Sequence, residues 1–208
     1  FLLPAALVPA LLLILLVRPD PKDIASNLQR YWPDYEPPKI APAVQAGVRR
    51  AGGLSTFVHH KPKQVAYLSY SAAQATMAMM MVITPLVMSE SGHTLTAISF
   101  AVALHVVGMF GFSIPLGKLA DRLGRKRMLW PGLGVCALGA LLVPATALYW
   151  TITLGLFMVG LGWSAVNVAS TSVLADTTAP AERGRAIGAN DALAGAFSII
   201  TPLMGGVI

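Results

Sequence analysis

Between two long apolar runs stands the segment Gly117-Lys118-Leu119-Ala120-Asp121-Arg122-Leu123-Gly124-Arg125-Lys126-Arg127. It packs five cations and one carboxylate into eleven residues. A single charged side chain at the centre of a bilayer costs about 3 kcal/mol, so this cluster cannot lie in hydrocarbon. The segment therefore reads as a short loop at a membrane surface. It also dictates how the apolar chain on either side must run.

Six apolar runs are legible: Phe1–Val17, Gln64–Met88, Leu95–Gly117, Leu129–Leu148, Thr151–Leu174 and Ile187–Ile208. The last five each have about twenty residues or more, enough at 1.5 Å per residue to cross about 30 Å of hydrocarbon. Only 12% of the 208 residues are charged, about half the fraction of an ordinary soluble domain. The expected fold class is an all-α integral membrane bundle with no sheet. Short connections make sequential helices antiparallel neighbours. The sequence opens with Phe1 and closes inside an apolar run, so it is read as a fragment of a longer multi-pass chain.

The net charge of +6 raises the question of nucleic acid, and its distribution answers it. The fifteen Lys and Arg fall in three stretches: eight in Arg18–Lys63, five in Lys118–Arg127 and two in Arg183–Arg185. Threading six spans through a bilayer puts all three on one side. The two connections left for the other side, Ser89–Thr94 and Tyr149–Trp150, hold no Lys or Arg. This is the charge asymmetry of a multi-pass protein with its basic loops in the cytoplasm, where they also meet anionic lipid. Nucleic acid is not an expected partner. Phe1–Val17 lacks the basic start and small-residue cleavage site of a signal peptide.

Three regions follow. Residues 1–17 are a transmembrane helix, 18–63 a cytoplasmic linker and 64–208 a bundle of five helices. The linker holds Pro19, Pro21, Pro33, Pro37, Pro38, Pro42 and Pro62, which forbid a continuous helix. Tyr31, Trp32 and Tyr35 suit partial packing or interfacial anchoring, and Asp23–Arg30 has room for a turn or two of helix. In the bundle, Gly184, Gly188, Ala192 and Ala196 recur every four residues, a stripe that lets helix backbones approach closely in lipid. Gly132, Gly134 and Gly139, and Gly155, Gly160 and Gly162, are expected to do the same.

Within the charged segment, Gly117 and Gly124 permit tight backbone turns. Asp121 and Arg125, four apart, would pair across one helical turn. Arg122, Lys126 and Arg127 are free to bind helix carbonyl ends or lipid phosphates. The segment resembles, position for position, the G-x-L-a-D-R-x-G-R-[RK]-[RK] loop of the major facilitator superfamily of transporters. A second stretch, from Ala175 to Gly188, is similar to that family's D-x-x-P-x-E-R-G-R-A-x-G loop through Asp176, Pro180, Glu182, Arg183, Gly184 and Arg185. It stands two spans after the first, where the family places it. Ile200-Thr-Pro202-Leu-Met-Gly205-Gly206 resembles the family's G-P-x-x-G-G antiporter kink, with isoleucine where glycine usually precedes the proline.

The resemblance, over about Gln64–Gly206, implies two six-helix halves with a small-molecule substrate bound between them, and alternating access by rocking. It implies that the Asp121 loop latches the cytoplasmic face in one state and releases it in the other. One span, a basic linker and five spans fit helices six to eleven of twelve; the rival is an extra anchor followed by helices one to five. The rest of the transporter chain is then a partner. The expected function is secondary active transport in the plasma membrane, by proton-coupled efflux. A non-transporting receptor or scaffold and a membrane-embedded enzyme are the alternatives.

Polar groups inside spans are the candidates for substrate or proton binding. His105 lies mid-span, placed either to carry a proton or substrate or to bond a neighbouring helix. Asp191 shares a face with Gly188, Gly195 and Ser198 and is expected to look inward, as a proton site or a tie to Arg183 or Arg185. Asn167 joins Ser164, Ser170 and Thr171 in one polar stripe, and Gln74 joins Tyr67 and Ser71 in another. No cofactor is expected and no metal-ligand spacing exists. Cys136 reads as a packing residue. Met77, Met79, Met80 and Met81 point in different directions around a helix and cannot converge on an ion. His59-His60 reads as a solvated face; Glu90 and His93 sit in the short outer loop.

Overall fold

In the computed structural model the described residues are 11, 15, 16, 23, 24, 27–34, 60–179 and 182–205. Most of the span expected at 1–17 and of the linker expected at 18–63 lies outside them, as do Pro180, Ala181 and Gly206. Every regular element among the described residues is helical. Those up to Asp34 belong to one compact unit and those from His60 onward to another. In the first, α1 (Leu28–Tyr31) is a single turn, followed by Trp32, whose ring lies 6.3 Å from that of Tyr31.

The second unit holds α2 (Lys61–Glu90), α3 (Leu95–Phe110), α4 (Ser113–Leu123), α5 (Arg125–Leu142), α6 (Tyr149–Thr177) and α7 (Arg183–Gly205). Pro62 stands in the first turn of α2, where its missing N–H is no loss. The hydroxyl of Thr94 caps α3 by accepting from Ala97 N at 3.3 Å.

The helices differ in their bounds from the expected spans, α2 beginning at Lys61 inside the stretch expected to be linker, and two of the differences have a local reason. The run Leu95–Gly117 is two helices, interrupted at Gly111 and Phe112. Pro115 is the cause: it has no N–H to give the Gly111 carbonyl, and its ring collides with that carbonyl. The span expected at Leu129–Leu148 runs from Arg125 to Leu142. It ends just before Pro144, which has no N–H to give the Ala140 carbonyl and so cannot extend the helix ladder. Among the described residues, α2, α3 with α4, α6 and α7 are long and apolar enough to cross a membrane. α5 has 18 residues and opens on three cations.

The hub is α6. Two thirds of its apolar stretch is buried (67%), against 22% for α2, 22% for α3 with α4 and 11% for α7. Glycines let α5 and α3 come against it. A Cβ on Gly139 would lie 2.5 Å from the Gly155 carbonyl oxygen, and one on Gly162 would lie 2.5 Å from Cys136 N. On the other side a Cβ on Gly108 would lie 2.7 Å from the Phe157 carbonyl oxygen. These are backbone contacts no side chain can enter. Around this centre, Leu68, Leu86, Phe100, Phe110, Leu138, Leu141, Leu154 and Leu203 point outward, more than half of each exposed. An apolar belt of this kind suits hydrocarbon.

The stripe of Gly184, Gly188, Ala192 and Ala196 does not close a helix contact within the described chain. All four are exposed, and a Cβ on Gly184 or Gly188 would meet nothing within 4 Å. Gly134 is likewise open. The methionines disperse as expected: Met77 packs with Trp163 and its neighbours, and Met80 and Met81 with a cluster around Met88 and Leu156.

Candidate functional site

The bundle has two unlike ends. At one, the α2–α3 and α5–α6 turns are tied by neutral contacts. Gly92, at φ +80°, makes the first turn. His93 Nε2 bonds the Ala147 carbonyl at 3.1 Å, and the Tyr149 hydroxyl donates to the Ala97 carbonyl at 3.1 Å. His93, expected only as part of an outer loop, is therefore a structural tie.

The other end gathers the charges. The segment expected to be a loop is mostly helix: Gly117–Leu123 lies on α4 and Arg125–Arg127 opens α5. Gly124 alone breaks them, at φ +94°, a conformation that strains any residue with a side chain. That one-residue corner folds Arg125 back over α4. Arg125 donates to Asp121 at 3.3 Å and also to Asp176, which sits in the last turn of α6. One guanidinium thus ties α4, α5 and α6. Asp121–Arg125 is the pair the spacing implies; the Asp176 bond, 51 residues away in sequence, is not visible from spacing.

Helix electrostatics explain why these three charges need one another. Asp121 and Asp176 both sit near the C-terminal ends of their helices, and Arg125 at the N-terminal end of its own. Each is at the end that disfavours its sign, by about 0.3–1 kcal/mol at low salt. Pairing offsets that. The hydrogen bond that Asp176 accepts from it, with the nearby charges of both carboxylates, holds the Arg125 guanidinium above its ordinary range. The side chains are 37%, 67% and 52% exposed for Arg125, Asp121 and Asp176, so each pair is screened and worth about 0.2–1 kcal/mol.

The second expected loop is also partly helical. Asp176 belongs to α6, and Arg183, Gly184 and Arg185 open α7, with Glu182 just ahead of them. Arg183 Nε donates to the Thr178 carbonyl at 3.4 Å. Lys63, buried at the start of α2, lies within electrostatic reach of Glu182. The Tyr67 hydroxyl donates to the Ala186 carbonyl at 3.0 Å. Lys63, Tyr67, Arg125, Asp176 and Glu182 therefore share one end of the bundle.

The mid-span candidates separate. His105 is fully buried, and its Nδ1 lies 2.7 Å from the Leu156 carbonyl on α6. A carbonyl only accepts, so Nδ1 carries the proton. Nε2 is left buried without a partner. Gln74 accepts from Trp163 Nε1 at 2.6 Å, and the Tyr70 and Phe110 rings each lie 6.2 Å from the Trp163 ring. Trp163 was the legible signal here: an indole in an apolar span needs an acceptor. Asn167 is half-buried and offers its backbone carbonyl to Ser170.

Asp191 does not look into the described bundle. It is exposed, with Gly188 beside it, and lies within electrostatic reach of Tyr70. The inward residue is its neighbour Asn190, fully buried with neither amide atom hydrogen-bonded. The face assigned to Asp191 was off by about one residue, a rotation of about 100° on a helix. Among the described residues no three His, Cys, Asp or Glu side chains gather as a metal site.

Comparison with known proteins bears on this arrangement. Residues 66–208 match the model of the Major Facilitator Superfamily. The riboflavin transporter RfnT of Brucella anthropi is 32% identical over 120 residues, 56% of this chain and 29% of the relative. The uncharacterized MFS-type transporter YddS of Bacillus subtilis is 29% identical over 193 residues, 91% of this chain and 42% of the relative. The class D tetracycline resistance protein of Salmonella ordonez is 33% identical over 106 residues, 51% of this chain and 27% of the relative. The chain spans less than half the length of each of these relatives. No solved structure matches it.

Proposed function

The chain belongs to the major facilitator superfamily, and on that premise we propose that it forms part of a carrier moving a small organic molecule across the plasma membrane by alternating access. The observation that carries this reading is the Arg125 cluster. It joins three helices at one end through bonds that are exposed and individually weak. A lock that must open in every cycle needs that property. Two pairs at about 0.2–1 kcal/mol each bias an equilibrium by up to about thirtyfold without freezing it. Arg122, Gly124, Lys126, Arg127 and the Glu182–Arg185 corner complete this end.

In this reading the charged end faces the cytoplasm, since all fifteen Lys and Arg are assigned to one side, and membrane lipids surround the belt. The names of the relatives, a riboflavin transporter and a tetracycline resistance protein, support an organic substrate and, in the second case, export. Coupling to protons is part of the proposal, with the free Nε2 of His105 and the carboxylate of Asp191 as carriers and Gln74 and Asn167 as substrate contacts. The likeness to YddS covers 91% of the chain and so takes in the linker. A helix, a cytoplasmic linker and five helices of the second half, completed by the remainder of the transporter, is the arrangement proposed.

The test is substrate flux in proteoliposomes containing the intact protein. Asp121→Asn, which removes one pair, is expected to lower flux by up to about fivefold, and Arg125→Gln, which removes both, by up to about thirtyfold, while the protein still folds, because the pairs are worth so little to stability. Undiminished flux in both, and in His105→Gln, would overturn transport through these residues and favour a scaffold role.

A further inference from the structure

Arg125 is the one cation between Lys118 and Arg127 that has a carboxylate partner among the described residues. Arg122, Lys126 and Arg127 have none, yet all three line the same cleft as Asp121, Gly124, Arg125 and Asp176. The cleft has a volume of about 570 Å³. Its walls carry four cations and two carboxylates, and both carboxylates are already engaged by Arg125. What remains is an unneutralised, solvent-open basic pocket.

The surroundings of the pocket are apolar. On α4, Lys118 and Arg122 form one strip along the helix, and Leu119 and Leu123 form the strip beside it. Leu119 is 41% exposed and Leu123 50%. On α5, Trp130 follows Arg127 by about one turn and is 72% exposed. Basic side chains bordering exposed leucine and indole are the signature of a helix lying at a bilayer interface. A free anion has no use for the apolar strip. A phospholipid uses both.

We propose that this cleft binds the phosphate of an anionic phospholipid through Arg122, Lys126 and Arg127, with the lipid's acyl chains along Leu119, Leu123 and Trp130. The inference rests on the membrane reading above and adds to it a defined lipid site beside the Arg125 lock. Arg122 and Arg127 offer forked donors suited to phosphate oxygens, and Lys126 a point charge.

Binding to the intact, detergent-solubilised protein tests it, with phosphatidylglycerol, phosphatidylcholine and inorganic phosphate titrated separately and bound species counted by native mass spectrometry. Phosphatidylglycerol is expected to bind well ahead of phosphatidylcholine. The triple variant Arg122→Gln, Lys126→Gln, Arg127→Gln is expected to weaken it by about 100-fold, at about fivefold per cation. The charge-keeping variant Arg122→Lys, Lys126→Arg, Arg127→Lys should retain most of it, which separates loss of charge from misfolding. Trp130→Ala should weaken phosphatidylglycerol and leave inorganic phosphate alone. Wild-type affinity for phosphatidylglycerol in the triple variant overturns the site. Inorganic phosphate binding as tightly as the lipid overturns the lipid as its ligand. Failure of the membrane reading shows elsewhere: Lys118→Cys, with other cysteines replaced, would then react with an impermeant maleimide on intact cells.

Discussion

Small residues recur at helical spacing in two parts of this molecule. Along the flanks of α6, Gly108, Gly132, Gly139, Gly155, Gly160 and Gly162 each stand where a Cβ would strike atoms of a neighbouring helix. Along α7, Gly184 and Gly188 stand where it would strike nothing. The two stripes are equally conspicuous in the sequence. Spacing fixes which residues share a face; it does not say whether another helix comes to that face. The open face of α7 also carries Asp191, exposed within a helix apolar enough to cross a membrane. A carboxylate left in hydrocarbon is costly, so that face is poorly suited to lipid.

The largest effect that tests the contrast is Gly139→Leu. Four added carbons would enter a seam where even a Cβ lies 2.5 Å from the Gly155 carbonyl oxygen. Overpacking of that kind costs about 3 kcal/mol or more, and a sharp loss of monodisperse protein in size-exclusion chromatography is expected. Normal yield and melting temperature would mean that α5 and α6 are not in backbone contact.

Trp163→Phe is a smaller probe of the same core. It keeps the ring near Tyr70 and Phe110 and deletes the bond to Gln74. Interhelical hydrogen bonds in membrane proteins contribute about 0.6 kcal/mol on average and up to about 1.7. A fall in melting temperature of a few degrees is expected, and no fall would place the Gln74 bond outside the folded core.

The smallest effect belongs to α7. Gly188→Ala adds a methyl where nothing lies within 4 Å and replaces a poor helix former with the best, a gain of up to about 1 kcal/mol. Unchanged or slightly raised stability of the intact protein is expected. A loss of more than about 2 kcal/mol would show that a further helix covers the face, and would bring the two stripes back into one class.

Much of the charged end was legible beforehand. Asp121 and Arg125 pair as their spacing implies, and the basic stretches that are described gather at one end. The helical state of Gly117–Leu123 is not legible in the sequence, because dense charge suits an exposed helix face as well as a loop. α4 is amphipathic, and its exposed charged face needs no loop to stay in water. Nor is the Asp176 bond, which depends on the last turn of α6 meeting the first residue of α5. For His105 the sequence leaves two roles open. The fold supplies the interhelical bond of one and leaves Nε2 free for the other.

The sequence by itself determined that this chain is a stack of apolar helices with its cations kept out of the oil. Charge in hydrocarbon is too expensive for any other arrangement, and that argument needs no coordinates. Tertiary structure decided which partner each polar or small residue has: Asp176 for Arg125, Trp163 for Gln74, Leu156 for His105, and no hydrogen-bond or ion-pair partner among the described residues for Asp191. Those choices rest on rotations of a helix by one residue and on contacts across 50 or more positions, distances over which a local pattern carries no information.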